Sequence, residues 1–233
     1  MMPALFALGG FLLGSIPFAL LIGLARGVDI RTVGSKNPGA TNLGRTIGFR
    51  WFVLCFLLDA GKGFAPTFVY GSIAGLTRAQ GFPPADSFVW LGVMACPVLG
   101  HMFSPWIRFK GGKGVATGLG SLLGVYPMLT LPACGAFVVF GSILAIWRYV
   151  GLSSVLAAAS LPLWVWYFFE LLDRGVPDDA PVQPPARWPF LLVTVLLAGL
   201  VIYKHRGNLT RLAAGTEPKL GSGSRRPSEN GGG

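Results

Sequence analysis

The apolar positions of this chain fall into seven long runs separated by short polar connections rich in glycine, cations and amides. The first run, about residues 3–24, carries no charge; the others cover about 51–73, 88–103, 115–131, 133–147, 152–172 and 188–203. A helix crosses a bilayer with roughly 17–25 predominantly apolar residues, and several of these runs reach that length. The pattern predicts an all-α polytopic membrane protein with about seven transmembrane helices. The third, fourth and fifth runs are short, so their helices are expected to tilt little or to be flanked by interfacial residues.

Composition agrees. Of the 233 residues 52% are hydrophobic and only 12% charged, about half the roughly 25% charge of a soluble domain, and the mean hydropathy is +0.61. A net charge of +10 would suit nucleic acid if the cations lined one soluble face, but they cluster between the apolar runs. That distribution fits membrane topology and anionic ligands, with no nucleic-acid partner. Segments 25–50, 104–114, 147–151 and 203–233 hold fifteen of the 19 Lys and Arg residues, whereas the alternate connections hold only Arg78, Arg174 and Arg187. The positive-inside rule then predicts an N-terminus outside, a cytoplasmic C-terminus, and an outer Pro-rich acidic loop at 173–185. The N-terminus lacks a positive region, so the first run is expected to be a retained span. Cys55, Cys96 and Cys134 all lie in apolar runs and read as packing residues rather than a disulfide framework. Residues 1–215 form one expected transmembrane domain, and residues 216–233, low in apolar side chains toward their end, an expected disordered cytoplasmic tail.

Three inner-facing segments carry candidate chemistry. In Val33–Arg45, two hydroxyls (Ser35, Thr41), two amides (Asn37, Asn42) and Arg45 stand on a backbone bent by Pro38 and glycines. Such a set can bind a polyol phosphate; a solvated connecting loop is the alternative. The second segment, Gly100–Thr117, packs Arg108, Lys110 and Lys113 among Gly111, Gly112 and Gly114. Glycine lets backbone N–H groups turn toward an anion, and lysine adds charge. It fails the P-loop pattern, with Ile107 and Gly114 where that pattern needs glycine and a hydroxyl, so nucleotide hydrolysis is not supported. A positive-inside anchor explains the cations but not the glycines. His101 beside it reads as a hydrogen-bonded structural residue more readily than as a base. The third segment, Tyr203–Arg211, presents His205 and Asn208 three apart on one helical face; a basic flank of the last span is the alternative. Asp59 and Lys62, also three apart, lie inside a run, where ionisable residues are costly and often functional; a mutual ion pair that fixes packing is the preferred reading. No nucleophile elbow, His-x-x-x-x-Asp pair or metal-ligand cluster is apparent, so an enzyme here needs an already activated donor or substrate-assisted proton transfer.

The three segments resemble the bacterial membrane glycerol-3-phosphate acyltransferases that use acyl-phosphate as donor. The resemblance rests on Gly14-Ser15-Ile16-Pro17, on Gly34–Asn42 and on Gly100–Thr117, in that order, and covers about residues 1–215. It implies seven spans in the bacterial inner membrane and a cytoplasmic active site. It further implies transfer of a fatty acyl group to the 1-hydroxyl of glycerol 3-phosphate, giving lysophosphatidic acid and phosphate. Neither coenzyme A nor acyl carrier protein would take part; no cofactor or metal and no covalent acyl-enzyme are implied, and a monomer is compatible with the scheme. By carry-over Ser35, Arg45, Lys113, His205 and Asn208, with Asn37, Thr41 and Asn42 of the same loop, would hold glycerol 3-phosphate. Gly111, Gly112, Lys113 and Gly114, with Ser154 and Arg206, would hold acyl-phosphate, and Asp59, Lys62 and His101 would be structural or accessory. The substrate's own phosphate would accept the proton. The chain departs from the pattern at Lys36, where the family has glycine, and at Gly151, where relatives often have serine. A transporter of a small organic phosphate is the alternative function, though its site would be expected at the membrane midplane between repeated halves; a non-catalytic scaffold accounts poorly for three polar motifs on one side.

Overall fold

A computed structural model of the chain describes residues 1–78, 81–177 and 184–221. The described residues form ten α-helices: α1 (Met2–Ser15), α2 (Phe18–Ala25), α3 (Ala40–Ile47), α4 (Phe49–Ile73), α5 (Pro84–Met102), α6 (Val115–Gly124), α7 (Thr130–Trp147), α8 (Val150–Gly175), α9 (Trp188–Lys204) and α10 (Arg206–Ala213). Five stretches are long and apolar enough to cross a membrane: Met2–Ala25, Phe49–Ile73, Pro84–Ile107, Thr130–Trp147 and Val150–Gly175. The pair α9 and α10, bent by 53°, supplies a sixth.

The fourth expected crossing differs. Its apolar run over 115–131 holds the ten-residue α6, a rise of about 15 Å against a hydrocarbon core of roughly 30 Å, and then only the first two residues of α7. The helix stops before Pro127, whose ring disfavours helical backbone at the residue ahead of it, and the chain turns before α7 begins. Val125 and Leu129 in that turn are fully buried, so hydropathy alone does not distinguish it from helix.

Packing follows the small residues. Helix α1 lies along α5 and α4 along α6. At Gly120 the α6 backbone meets α4 so closely that a Cβ would sit 1.9 Å from the Ala60 carbonyl oxygen. The main core gathers Trp90, Met94, Leu129, Phe169 and Phe190, all fully buried, with the Trp90 indole N–H donating to the Thr67 carbonyl at 3.0 Å. Leucines, isoleucines and aromatic side chains on the outer faces of α1, α7, α8 and α9 are exposed, a band too broad for a surface in water and suited to lipid. Inside, Lys62 Nζ lies 2.7 Å from Asp59 Oδ1, which is the ion pair preferred from the spacing.

The expected tail divides. Residues 216–221 pack against the bundle, with the Leu220 N–H donating to the Arg148 carbonyl at 2.7 Å and Glu217 only 6% exposed. Residues 222–233, and residues 178–183 of the expected outer loop, lie outside the described residues.

Candidate active site

The three polar segments meet. Ser35, Lys36 and Asn37 from the first, Lys110, Gly111 and Lys113 from the second, and Lys204, Asn208 and Arg211 from the third line one cleft of about 420 Å³. Its cations come from segments more than seventy residues apart in sequence, so the cleft is a product of the fold and not of a local basic run.

Asn42 shapes the first wall. Its side chain is 1% exposed, accepts the Ser35 N–H at 3.0 Å, and donates to the carbonyls of Ile30 at 2.8 Å and Val33 at 3.2 Å. Every polar atom of the amide is thereby used to hold the loop, so the structure gives Asn42 a loop-shaping position in place of the expected ligand contact. Thr41 sits half-buried in the first turn of α3 and does not line the cleft. Arg45 donates to the Pro218 carbonyl at 3.0 Å, while its Nε is buried with no hydrogen-bond partner among the described residues.

Lys36 adopts a left-handed backbone, φ 55. A side chain pays about 1–2 kcal/mol for that conformation and glycine does not. Lys36→Gly is expected to raise folding stability by about 0.5–1 kcal/mol and, by removing a cleft cation, to raise the KM of an anionic substrate. A thermal-shift measurement beside initial-rate kinetics checks both signs.

The second wall is the glycine-rich stretch. Gly111 and Lys113 face the cleft, and Gly114, at φ 78, is the N-cap of α6 and lines a separate apolar groove with Val115, Gly118 and Ser154. The stretch Gly111–Gly114 thus joins two cavities of opposite character. The groove, about 90 Å³, runs between α6, α7, α8 and α9 among Leu122, Ala133, Phe137 and Leu161. The first N–H groups of α6 have no intrahelical acceptor and carry the positive end of the helix dipole to this junction. Gly112 faces elsewhere: its N–H donates to the His101 carbonyl at 3.1 Å, and a Cβ on it would fall 2.2 Å from His101 Nε2.

The third wall turns on Asn208. Its Oδ1 accepts from Lys113 Nζ in a short contact, and its Nδ2 donates to Glu217 Oε1 at 2.7 Å. Glu217 Oε2 in turn accepts from Arg211 Nε at 2.8 Å. His205, 3% exposed, has Nδ1 2.8 Å from the Val201 carbonyl. A carbonyl accepts only from a protonated nitrogen, so Nδ1 carries the proton. Arg206 is not brought to the cleft; its guanidinium lies over the Tyr203 ring at 4.3 Å. Ser154 lines the groove, with its hydroxyl donating to the Val150 carbonyl at 2.8 Å. Gly151 packs against the Asn208 side chain, leaving no room there for a serine without a shift.

Lys204, Arg211 and Glu217 were not singled out from the sequence. The available signal for Glu217 is that it is the sole acidic residue in the basic stretch 203–221. Among the described residues no group of His, Cys, Asp and Glu is arranged to hold a metal ion.

Burial holds the Lys113 pKa down to about 8 from the usual 10.5, with Glu217 opposing and Arg211, Arg45 and Lys204 reinforcing the shift. The free-enzyme kcat/KM for an anionic substrate is therefore expected to fall as pH rises through about 8, because the neutral amine no longer faces the anion. Lys113→Arg should move that limb to higher pH. The stability sign is opposite: between about 8 and 10.5 the folded chain binds fewer protons here than the unfolded chain, so the Lys113 contribution to stability rises with pH in that window.

The chain matches the family model described as glycerol-3-phosphate acyltransferase over residues 4–215. It is 40% identical over 212 residues to the glycerol-3-phosphate acyltransferase of Trichlorobacter lovleyi, covering 91% of this chain and 94% of the relative. It is 42% identical over 211 residues to that of Geobacter sulfurreducens, covering 90% and 93%. The fold is similar to the crystal structure of PlsY, an integral membrane glycerol 3-phosphate acyltransferase in its glycerol 3-phosphate form, with a TM-score of 0.77 and 34% identity over 95% of this chain and 96% of that one. With its motifs, its helical fold and nearly its whole length matched, the chain belongs to the glycerol-3-phosphate acyltransferase family, whose members of this kind are multi-pass membrane proteins.

Proposed function

We propose that this protein transfers a fatty acyl group from acyl-phosphate to the 1-hydroxyl of glycerol 3-phosphate, releasing lysophosphatidic acid and inorganic phosphate. Family membership supports the acceptor. The observation that carries the donor is the junction at Gly111–Gly114, where a cationic cleft opens beside an apolar groove. A molecule with an anionic head and a fatty tail matches that pair of cavities, head at the glycines and tail among the helices.

In this reading Ser35, Asn37, Arg45, Lys113, His205 and Asn208 hold glycerol 3-phosphate. Arg45 Nε, without a hydrogen-bond partner among the described residues, is a donor suited to its phosphate. The Gly111–Gly114 backbone, the α6 N-terminus and Lys113 hold the acyl-phosphate head, and Ser154 borders the tail. The 1-hydroxyl oxygen attacks the acyl carbonyl while a phosphate oxygen of the same substrate takes its proton; the C–O bond to the leaving phosphate then breaks. No protein nucleophile or cofactor enters. Phosphate is already a good leaving group, so the chain contributes orientation and charge stabilisation. Two anions must be brought together, and the cleft cations offset their repulsion.

The same reading has seven spans, N-terminus outside and the site cytoplasmic. Parity supports it. The segments at 109–113 and 204–211 share one cleft, so the chain between them must cross the membrane an even number of times. Helices α7, α8 and α9 make three, and α6 makes the fourth. Cysteines placed in the 125–129 turn and beside Arg148 should label from opposite sides; labelling from one side would remove α6 from the count.

Purified protein given palmitoyl-phosphate and glycerol 3-phosphate should form lysophosphatidic acid and phosphate in equal amounts, and palmitoyl-coenzyme A should not replace the donor. Equal turnover with the coenzyme A ester would overturn the donor assignment. Uptake of glycerol 3-phosphate into proteoliposomes without acyl transfer would favour a transporter instead.

A further inference from the structure

The motif Gly14–Pro17 and the buried pair Asp59–Lys62 line neither the cleft nor the groove, yet they are joined to the cradle through one continuous set of contacts. We infer that Asp59 is a positioning residue: with Lys62 and the helix break at Ser15–Pro17 it fixes His101, and His101 fixes Gly112 in the phosphate-binding stretch. The inference rests on the acyl-phosphate reading of that stretch.

Pro17 lacks an N–H and interrupts the helix between α1 and α2. In a continuous helix the carbonyls of Ser15 and Ile16 would accept from residues 19 and 20. Here Leu20 N–H turns to the Pro17 carbonyl at 3.0 Å and Phe18 N–H to the Ile16 carbonyl at 3.1 Å, and side-chain donors distant in sequence reach the Ser15 and Ile16 oxygens. Ser104 Oγ donates to the Ser15 carbonyl at 2.6 Å, and Lys62 Nζ donates to the Ile16 carbonyl at 2.7 Å. The Ser15 hydroxyl accepts from Trp106 Nε1 at 2.7 Å. The break is thus a socket that receives α4 through Lys62 and the chain leaving α5 through Ser104 and Trp106.

Lys62 also pairs with Asp59, and Asp59 Oδ1 lies 3.6 Å from His101 Nδ1. The Cys55 thiol approaches the other carboxylate oxygen at 3.6 Å. The opposite edge of the imidazole packs against Gly112, and the His101 carbonyl accepts the Gly112 N–H. Contact therefore runs from the break, through the ion pair and the ring, to the glycines. Asp59, Lys62 and His101 are 2%, 3% and 9% exposed.

Stability alone is a poor reason for this cluster. Well-packed apolar residues often replace a buried ion pair at no cost or with a gain, whereas removing one partner leaves a charge stranded. Ionisable groups persist inside membranes where geometry or function requires them. The geometry required here is that of a loop of glycines, which cannot hold its own shape because glycine restricts the backbone least.

The test compares Asp59→Leu/Lys62→Met with the wild type, using palmitoyl-phosphate and glycerol 3-phosphate. The double variant removes both charges, so neither is stranded and folding is retained even if Asp59→Asn alone fails to fold. Its thermal midpoint is expected within a few degrees of the wild type, while KM for one of the two phosphate substrates rises at least fivefold. Asp59→Glu, which keeps the charge, should recover most of that loss, and His101→Gln should reproduce part of it. Wild-type KM and kcat in a folded double variant would overturn the inference, as would losses that track only the amount of folded protein. An inactive wild type under these conditions would instead count against the acyl-phosphate reading itself.

Discussion

Replacing Lys113 with alanine is expected to lower kcat/KM by at least about a hundredfold, the loss typical when a preorganised donor to developing charge is removed. Lys113 is the cation that belongs to both halves of the proposed site: it follows Gly111 and Gly112 in the donor cradle and touches Asn208 from the acceptor wall. Its substitution therefore weakens the contacts of two anions together. Folding should survive, because burial already penalises this ammonium and a neutral side chain escapes that penalty. Single-turnover measurements with saturating donor separate binding from the transfer step. Turnover near the wild-type value would remove Lys113 from the site and with it the assignment of the cradle.

Glu217→Ala carries the second large effect, on stability as well as activity. The Glu217 carboxylate is nearly inaccessible and accepts from both Asn208 and Arg211. It is the negative charge that offsets Arg45, Arg211 and Lys113. Its removal strands two donors and leaves three cations facing one another. A loss of about 2 kcal/mol is expected from the lost charged hydrogen bonds, reduced from the value for a fully buried pair because Arg211 is partly exposed. KM for glycerol 3-phosphate should rise as Asn208 loses its orientation. Glu217→Gln keeps an acceptor for Asn208 and is expected to recover part of both effects. Thermal unfolding in detergent beside steady-state kinetics checks the ordering of wild type, Glu217→Gln and Glu217→Ala.

Much of the site is legible in the sequence because each wall is a contiguous motif, and the alternation of spans puts the three motifs on one side. Ser35, Asn37, Lys113 and Asn208 need only that alternation to be brought together. Asn42 and Arg206 show where the reasoning stops. An amide or a guanidinium advertises what it can bond, not which way it points, and the fold spends one on the carbonyls of Ile30 and Val33 and the other on the Tyr203 ring. Glu217 was hidden for a related reason: its importance lies in neutralising cations from α3, α10 and the α5–α6 connection, a property of proximity that no short window contains. The spans were legible through hydropathy, except where apolarity and helicity part company after Gly124. The ion pair of Asp59 and Lys62 follows from their spacing within one helix, but its continuation to His101 depends on how α4 lies against α5.

The shortness of α6 bears on how the reaction meets its lipid. If a ten-residue helix completes a crossing that its neighbours make with eighteen or more, one of its ends lies within the hydrocarbon layer; in the proposed reading that is the cradle end, where the groove opens at the depth of lipid tails. A water-insoluble donor then reaches the glycines by lateral diffusion in the leaflet, with its chain never crossing water. Lysophosphatidic acid, carrying the same chain, departs by the same sideways route, while the soluble acceptor and the freed phosphate exchange through the polar cleft. In the proposed reading one short helix thus gives the enzyme separate doors for oil and for water.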